Sequence, residues 1–343
     1  MERSVNFLEN IVVSTRIRLA RNFASFPFPR KMNKEQAEKV AFLTEVGLKQ
    51  FGQFQKYEMS KLTREEALLL QEDYMISPAL MKSKHGVAFV SLDRTISVMV
   101  NEEDHLREQY ICKGFDLYKA NDFISSLDDG LGSMYDFAFD EKLGYLTACP
   151  SNLGTGMRAS VMMFLPGLAW NGGLKSFLPT LKADGITVRG AFGEGTSAQG
   201  YLYQVSNEQT LGLSEWDVLD EMTRVTMAVA DKELLAREEM LAKAETECRD
   251  RCLRAYGVLS HCAILSMQEF LEKLADVRLG ILLGLFRCTS KKKFEEFAND
   301  MRPTAFRVAN HLEEDEKLCD MVRAETVSRA LPTLVKVVRD VDV

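Results

Sequence analysis

From Ile11 to about residue 215, short apolar runs alternate with polar stretches rich in Gly, Asn and Asp. The runs are Ile11–Val13, Gly86–Val90, Ile96–Val100, Gly144–Thr147, Ile186–Val188 and Tyr201–Tyr203. Most are β-branched or aromatic, and their spacing predicts strands joined by loops, an α+β region. At Ser214 the period changes. Ser214 with Asp217 forms a helix start, and Val218, Leu219, Met222 and Val225 then recur at helical spacing. Ser266-Met-Gln-Glu269 opens a further helix, Ser290 begins a Lys-rich amphipathic one, and a last charged helix is expected from His311 onward. The expected fold class is therefore α+β followed by a smaller all-α domain. Only eight prolines occur and no low-complexity linker or repeat marks a boundary, which places it within or just after the long helix: residues 1–240, then 241–343.

Composition narrows the function classes. Fifty acids against 43 Lys and Arg give a net charge of −7, which works against a nucleic-acid binder and its concentrated basic field. No secretory apolar segment follows Met1, and Gly280–Phe286 is far too short to cross a bilayer, so a cytoplasmic chain with no membrane partner is expected. Seven scattered cysteines fit reduced thiols. Cys248 and Cys252 lack a second doublet, so helical packing is expected there and no metal site.

Four segments carry chemistry. In Ser14-Thr-Arg-Ile-Arg-Leu-Ala-Arg21 a strand would put Ser14, Arg16 and Arg18 on one face and Thr15, Ile17 and Leu19 on the other. Paired arginines suit phosphate oxygens; the bland alternative is an exposed edge strand with solvated cations. Asn101-Glu-Glu-Asp-His-Leu-Arg107 crowds Glu102, Glu103 and Asp104 at a strand end, a setting for a general base or for a merely solvated acidic turn. In Cys149-Pro-Ser-Asn-Leu-Gly-Thr-Gly-Met-Arg158, Gly154 and Gly156 free the backbone to approach an anion, and Arg158 begins a strand whose face also carries Ser160; Cys149 could equally be a small buried hydrophobe. The segment matches neither the phosphate loop of nucleoside triphosphatases nor the dinucleotide fingerprint. Lastly, Val188-Arg-Gly-Ala-Phe-Gly-Glu-Gly-Thr-Ser-Ala-Gln-Gly200 holds four glycines from Gly190 to Gly200, a ligand-hugging loop or a floppy hairpin, with Arg189 at its base and Glu194 at its tip.

Taken together, each segment is a strand end carrying Arg. Arg16, Arg18, Arg107, Arg158 and Arg189 on one sheet face require a polyanion, and Glu102, Glu103 and Glu194 beside them suit a cationic second substrate. The constellation points to phosphoryl transfer, in which the protein mainly aligns reactants and neutralises charge.

At these residues the chain resembles the phosphagen (guanido) kinase family, which includes creatine and arginine kinases. The matching stretches are Ser14-Thr-Arg-Ile-Arg18, Val100–Arg107, Cys149–Arg158, Arg189-Gly190, Val205-Ser-Asn207 and Leu211-Gly212, in the family's order. Within that family it is similar to the bacterial protein arginine kinases of the McsB type, through Gly144-Tyr-Leu-Thr147, Arg158-Ala-Ser-Val-Met-Met163, Gly193-Glu-Gly195, Ala255-Tyr-Gly257 and Asp276-Val-Arg-Leu-Gly280. The resemblance implies an antiparallel sheet flanked by helices. It implies that Ser14, Thr15, Arg16, Ile17, Arg18, Arg107, Arg158, Ala159, Ser160, Val161, Met162, Arg189, Gly190 and Gly193 line an ATP site, with Mg²⁺ carried by phosphates and water. It makes Glu103 the base, Glu194 a second aligning carboxylate, Glu102 part of the guanidinium site, and Cys149 a neighbour of the non-reacting guanidine nitrogen. Asp320 and Arg323 would belong to a phosphoarginine-binding regulatory site.

Because the arginine strand begins by residue 14, the family's preceding helical domain is not expected, leaving a guanidine site open to arginine side chains on polypeptides. The resemblance further implies marking of proteins for a Clp-type protease or control of a stress regulator, a zinc-binding activator, and a homodimer to which Ile281, Leu282, Leu283 and Leu285 could contribute. A small-molecule guanidino kinase and a non-catalytic phosphoarginine-binding adaptor are the alternatives. Two positions differ from those relatives: Tyr74 stands where they carry His, which would preserve ring stacking, and Cys319 replaces an Arg, which predicts weak phosphoarginine feedback.

Overall fold

The computed structural model describes residues 8–190 and 199–338. It comprises two compact units: Met1–Met163, Phe177–Val188 and Gln204–Ala230 in the first; Phe164–Ser176, Arg189–Tyr203 and Asp231–Val343 in the second.

The first unit is built on strands β1 (Val12–Arg21), β2 (Phe54–Glu58), β3 (Val87–Ser91), β4 (Ile96–Val100) and β5 (Leu106–Lys113). A short hairpin of β6 (Phe139–Asp140) and β7 (Gly144–Tyr145) precedes β8 (Met157–Phe164), β9 (Ile186–Gly190) and β10 (Leu202–Asn207). Apart from the hairpin they form one sheet in the order β2-β3-β4-β5-β1-β8-β10-β9. The ladders β1–β5, β1–β8, β2–β3, β3–β4 and β4–β5 are antiparallel.

This order overturns the edge-strand reading of the Arg16–Arg18 segment. β1 is an interior strand paired on both sides, Ile17 with Tyr110 of β5 and with Ala159 of β8. Its alternation is the predicted one: Thr15, Ile17 and Leu19 are buried, Ser14, Arg16 and Arg18 half-buried.

Each sheet face has its own cover. On one, Val87, Phe89, Val98, Val100 and Leu106 pack with Val40, Ala41 and Leu48 of the helix Lys34–Leu48 and with Leu127 and Leu131 of the helix Leu117–Met134. On the other, Ala88, Val90 and Met99 pack with Ala67 and Leu70 of the helix Arg64–Glu72 and with Met75, Ile76 and Leu80. That second face is apolar where these short helices cover it. Farther along, across β5, β1, β8 and β10, it turns polar.

Several elements are absent from the sequence pattern. β5 reads Leu-Arg-Glu-Gln-Tyr-Ile-Cys-Lys and places Glu108 on the core face, which hides its alternation. Glu108 is fully buried, and neither carboxylate oxygen has a hydrogen-bond partner among the described residues. Burial pushes its carboxyl well above the usual range; Asp128, Glu215 and Asp129 add to the rise and Arg21 opposes it. A carboxyl that binds its proton more tightly when folded contributes most at low pH. Its contribution is lost as pH rises from the unfolded value towards the raised folded one. Glu108→Gln is therefore expected to raise the thermal midpoint at pH 8 by about 1–2 °C, roughly 1 kcal/mol, with the gap closing near pH 4. Differential scanning fluorimetry across pH measures this, and a gap that does not vary with pH rules it out.

In the second unit, the helix Glu215–His261 contributes its turns from Asp231 on and leaves helical geometry at Ala244. The helices Met267–Leu282, Lys291–Asp300, Pro303–Ala309 and Glu316–Leu334 follow. The last begins at Glu316, later than expected from His311, because Asp315 caps it by accepting from the Leu318 N–H. The region is not purely helical: β11 (Phe286–Cys288) pairs antiparallel with β12 (Val335–Val337). Cys248 and Cys252 are buried one turn apart on the long helix as free thiols. Ile281, Leu282, Leu283 and Leu285 are half-buried.

Candidate active site

The polar stretch of the second sheet face is assembled by strand pairing. Arg18 of β1 lies opposite Arg158 of β8, Arg16 opposite Ser160, and Ala20 opposite Arg107 of β5. Arg16, Arg18, Arg107 and Arg158 are all half-buried. Burial first, then the positive charge of Arg107 and, more weakly, Arg158 lower the Arg16 guanidinium to about 10, with Tyr74 opposing. Arg18 is driven well below its ordinary value by burial and then by Arg16, Arg107 and Arg158. Its Nε is buried with no hydrogen-bond partner among the described residues. Four guanidinium groups that repel one another at a half-buried surface fit a ligand with several negative charges.

Arg16, Arg107 and Arg158 each have a hydrogen-bonded neutral or acidic support, while Arg18 is offset only in part, by the charge of Glu102. Arg16 Nη2 donates to Gln204 Oε1 at 2.9 Å and Arg158 Nη2 to Ser206 Oγ at 3.1 Å, both on β10. Arg107 Nη1 donates to Glu102 at 2.8 and 3.1 Å. Glu102, 4% exposed at its side chain, also accepts from Ser77 Oγ. Gln109 Nε2 donates to the Tyr74 carbonyl at 2.5 Å, which fixes the Tyr74–Pro78 segment beside the arginines, with the Tyr74 ring half exposed.

The acidic turn is not a loose solvated loop. Asn101 occupies the left-handed region at φ 61°, which Asn tolerates, and its Nδ2 donates to the Ala37 and His85 carbonyls at 3.0 and 3.2 Å. Asp104 Oδ1 accepts from Asn22 Nδ2 and from the Ala148 N–H, each at 2.7 Å. One carboxylate oxygen thereby ties the turn carrying Glu103 to the chain just before Cys149. Between these anchors Glu103 is exposed.

Cys149 is half-buried, a free thiol 3.0 Å from Ser151 Oγ, and it precedes the turn Pro150–Asn152. The glycines after it serve a purpose other than the expected approach to an anion. At Gly154, φ 108°, a Cβ would lie 2.3 Å from the Thr210 carbonyl, and at Gly156, φ 64°, 2.7 Å from Ala20 O and Arg21 Nη1. Both therefore let the segment pack against protein backbone.

Residues 35–236 match the sequence model of the family described as ATP:guanido phosphotransferase, C-terminal catalytic domain, and residues 245–338 that of the Protein-arginine kinase McsB C-terminal domain. This chain belongs to the ATP:guanido phosphotransferase family. Ala244, where the long helix breaks, lies between the two matched stretches. The chain is 40% identical over 329 residues to the protein-arginine kinase of Caldanaerobacter subterraneus, covering 94% of this chain and 97% of the relative. It is 40% identical over 325 residues to that of Halalkalibacterium halodurans, covering 92% and 91%. Among solved structures it is similar to the duplicated taurocyamine kinase from Schistosoma mansoni with bound transition state analog components, at TM-score 0.63 and 28% identity. That match covers 73% of this chain and 38% of the kinase.

Within this guanido phosphotransferase family member, the predicted residues separate by sheet face. Ser14, Arg16, Arg18, Arg158, Ser160 and Met162 share the polar face by strand alternation, whereas the side chains of Thr15, Ile17, Ala159 and Val161 are fully buried on the opposite one. Those four can meet a nucleotide through backbone groups only, and Thr15 Oγ1 is engaged with the Gly114 carbonyl at 2.7 Å. Arg189 and Gly190 end β9 and fall in the second unit, where Arg189 is exposed. Gly193 and Glu194 lie outside the described residues. Arg323 is 4% exposed and donates from Nη1 to Asp320 Oδ1 at 2.6 Å and to the Leu265 carbonyl at 2.8 Å. Asp320 and Arg323 are thus paired with each other. Sequence reasoning missed Gln204, Ser206 and Gln109; the first two show in β10 as a polar alternation against Val205, a signal shared with any half-exposed strand.

Among the described residues no group of three or more His, Cys, Asp or Glu could hold a metal ion, and no helix is long and apolar enough to cross a membrane.

Proposed function

We propose that this chain transfers the γ-phosphoryl group of ATP to the guanidinium of arginine side chains in proteins. The observation that carries the reading is the set of four mutually repelling arginines, with the Nε of Arg18 buried and unsatisfied, beside the exposed Glu103. Arg16, Arg18, Arg107 and Arg158 would hold the phosphates, with Ser14 and the strand backbones beside them. Mg²⁺ would ride on the nucleotide's own phosphates and neutralise charge there. Glu103 takes a proton from the substrate guanidinium, the freed nitrogen forms the N–P bond, and the bond from γ-phosphorus to the bridging oxygen breaks to release ADP. Arg107 and Ser77 already occupy Glu102, so its part is to orient Arg107 and, through charge, to favour a cationic substrate. Glu194 would supply a second carboxylate and Cys149 a polarisable neighbour of the idle nitrogen.

The name protein-arginine kinase carried by relatives at 40% identity over nearly their full length supports a polypeptide substrate over a free amino acid. A catalytic domain over residues 1–240 and a regulatory or dimerising one over 241–343 belong to this reading, and the separately matched stretches 35–236 and 245–338 support a division there. A cytoplasmic setting, a zinc-binding activator, a Clp-type protease downstream and a phosphoarginine site at Asp320 and Arg323 belong to the same reading. Incubation with MgATP and unfolded casein, followed by mass spectrometry at non-acidic pH, is expected to find phosphoarginine on casein. Its absence, with ATP bound, favours a non-catalytic adaptor instead.

A further inference from the structure

Arg21, the last residue of β1, takes no part in the arginine cluster. It is fully buried, an expensive place for a cation, and every N–H of its guanidinium is engaged. Nε donates to Asp128 at 2.9 and 3.0 Å, and Nη2 to Asp128 Oδ2 at 2.7 Å and Glu215 Oε1 at 3.2 Å. Nη1 donates to the carbonyls of Ala20 at 3.1 Å and Thr155 at 2.8 Å. The guanidinium carbon lies 3.5 Å from the centre of the Tyr145 ring, and Tyr145 N–H donates to the Gly154 carbonyl at 2.8 Å. Burial alone would lower Arg21; the charge and hydrogen bonds of Asp128 outweigh it and hold the guanidinium above its ordinary value.

Those contacts divide into a base and a tip. Asp128 on the helix Leu117–Met134 and Glu215 at the start of the long helix fix the base. The tip grips the chain between Cys149 and Arg158 at Thr155 directly, at Gly154 through Tyr145, and at Gly156, whose bare Cα allows Nη1 to come close. An apolar side chain would fill the same volume without the desolvation penalty, so stability alone does not account for the ion cluster. We infer that Arg21 is a positioning residue that sets the place of the Cys149–Gly156 segment relative to the sheet. This rests on the proposed placement of Cys149 beside the substrate guanidine. Arg158 itself is set by its pairing with Arg18, independently of Arg21. Loss of Arg21 therefore separates the two halves of the site, leaving the nucleotide clamp and displacing the thiol segment.

The test is Arg21→Lys in the full chain, which keeps a cation against Asp128 but cannot reach Thr155 and Tyr145 together. Alkylation of Cys149 by iodoacetamide without substrates, followed by peptide mass spectrometry, is expected to quicken by about fivefold or more as the segment opens locally. The kcat is expected to fall by roughly tenfold to a hundredfold, while KM for ATP stays within about twofold. An unchanged alkylation rate, or a loss of activity matched by an equal loss of ATP affinity, overturns the inference. Where Arg21→Lys does not fold, Glu215→Gln at the partly exposed carboxylate decides by the same readouts, with smaller changes in the same directions expected. The alkylation rate needs no phosphoryl acceptor, so it stands or falls apart from the proposed arginine substrate.

Discussion

Arg18→Met is expected to make the protein more stable and nearly inactive. Arg18 is a buried guanidinium facing three others, with an unsatisfied Nε and its charge disfavoured first by burial and then by Arg16, Arg107 and Arg158. Methionine keeps much of the volume, removes the desolvated charge and relieves its neighbours. A rise of the thermal midpoint by about 1–2 °C follows, equivalent to roughly 1 kcal/mol at this chain length. The same change removes a cation from the developing charge of the transferring phosphoryl group, for which a loss of ~10³ in kcat is the expected scale. Scanning fluorimetry and a steady-state ATP assay together decide the matter. A destabilised variant that keeps its activity would mean that Arg18 is a packing residue and the cluster no anion site.

Glu103→Gln is the second large effect, and it has the opposite signature. Glu103 is exposed on a turn whose fold is maintained by Asn101 and Asp104, so its replacement leaves stability within about 0.5 kcal/mol. As the base that takes the guanidinium proton it accounts for ~10²–10⁴ in rate. MgATP affinity, set by the arginines, is expected to persist. Residual activity above about a tenth of wild type would move the base elsewhere, since such a small loss is below the range of general-base catalysis.

The two variants probe features that differed in how far they could be read from sequence. The face shared by Ser14, Arg16 and Arg18 follows from period 2 alone, and the structure keeps it. That β1 is interior does not follow, because pairing partners are chosen by long-range contacts. β5, one of those partners, is masked by Glu108, whose burial is sustained by a raised affinity for its proton. The glycines of the Cys149 segment were visible as special positions. Their reason was not: they admit close approach of the backbone at Thr210 and of Arg21, residues distant in sequence. Arg21 read as one more cation in a basic run, and only its burial beside Asp128 and Glu215 separates it from Arg16 and Arg18. Local periodicity thus carried the orientation of side chains, while tertiary pairing decided which of them meet.

The central claim, arginine in polypeptides as acceptor, is tested most directly by competition. Unfolded casein and free arginine are supplied together at equal arginine concentration with MgATP, and phosphoarginine is quantified in the protein and small-molecule fractions at non-acidic pH. The account predicts phosphoarginine in the protein fraction, its rate of formation lowered by ~10² or more with Glu103→Gln. Phosphoarginine confined to the free amino acid would contradict it.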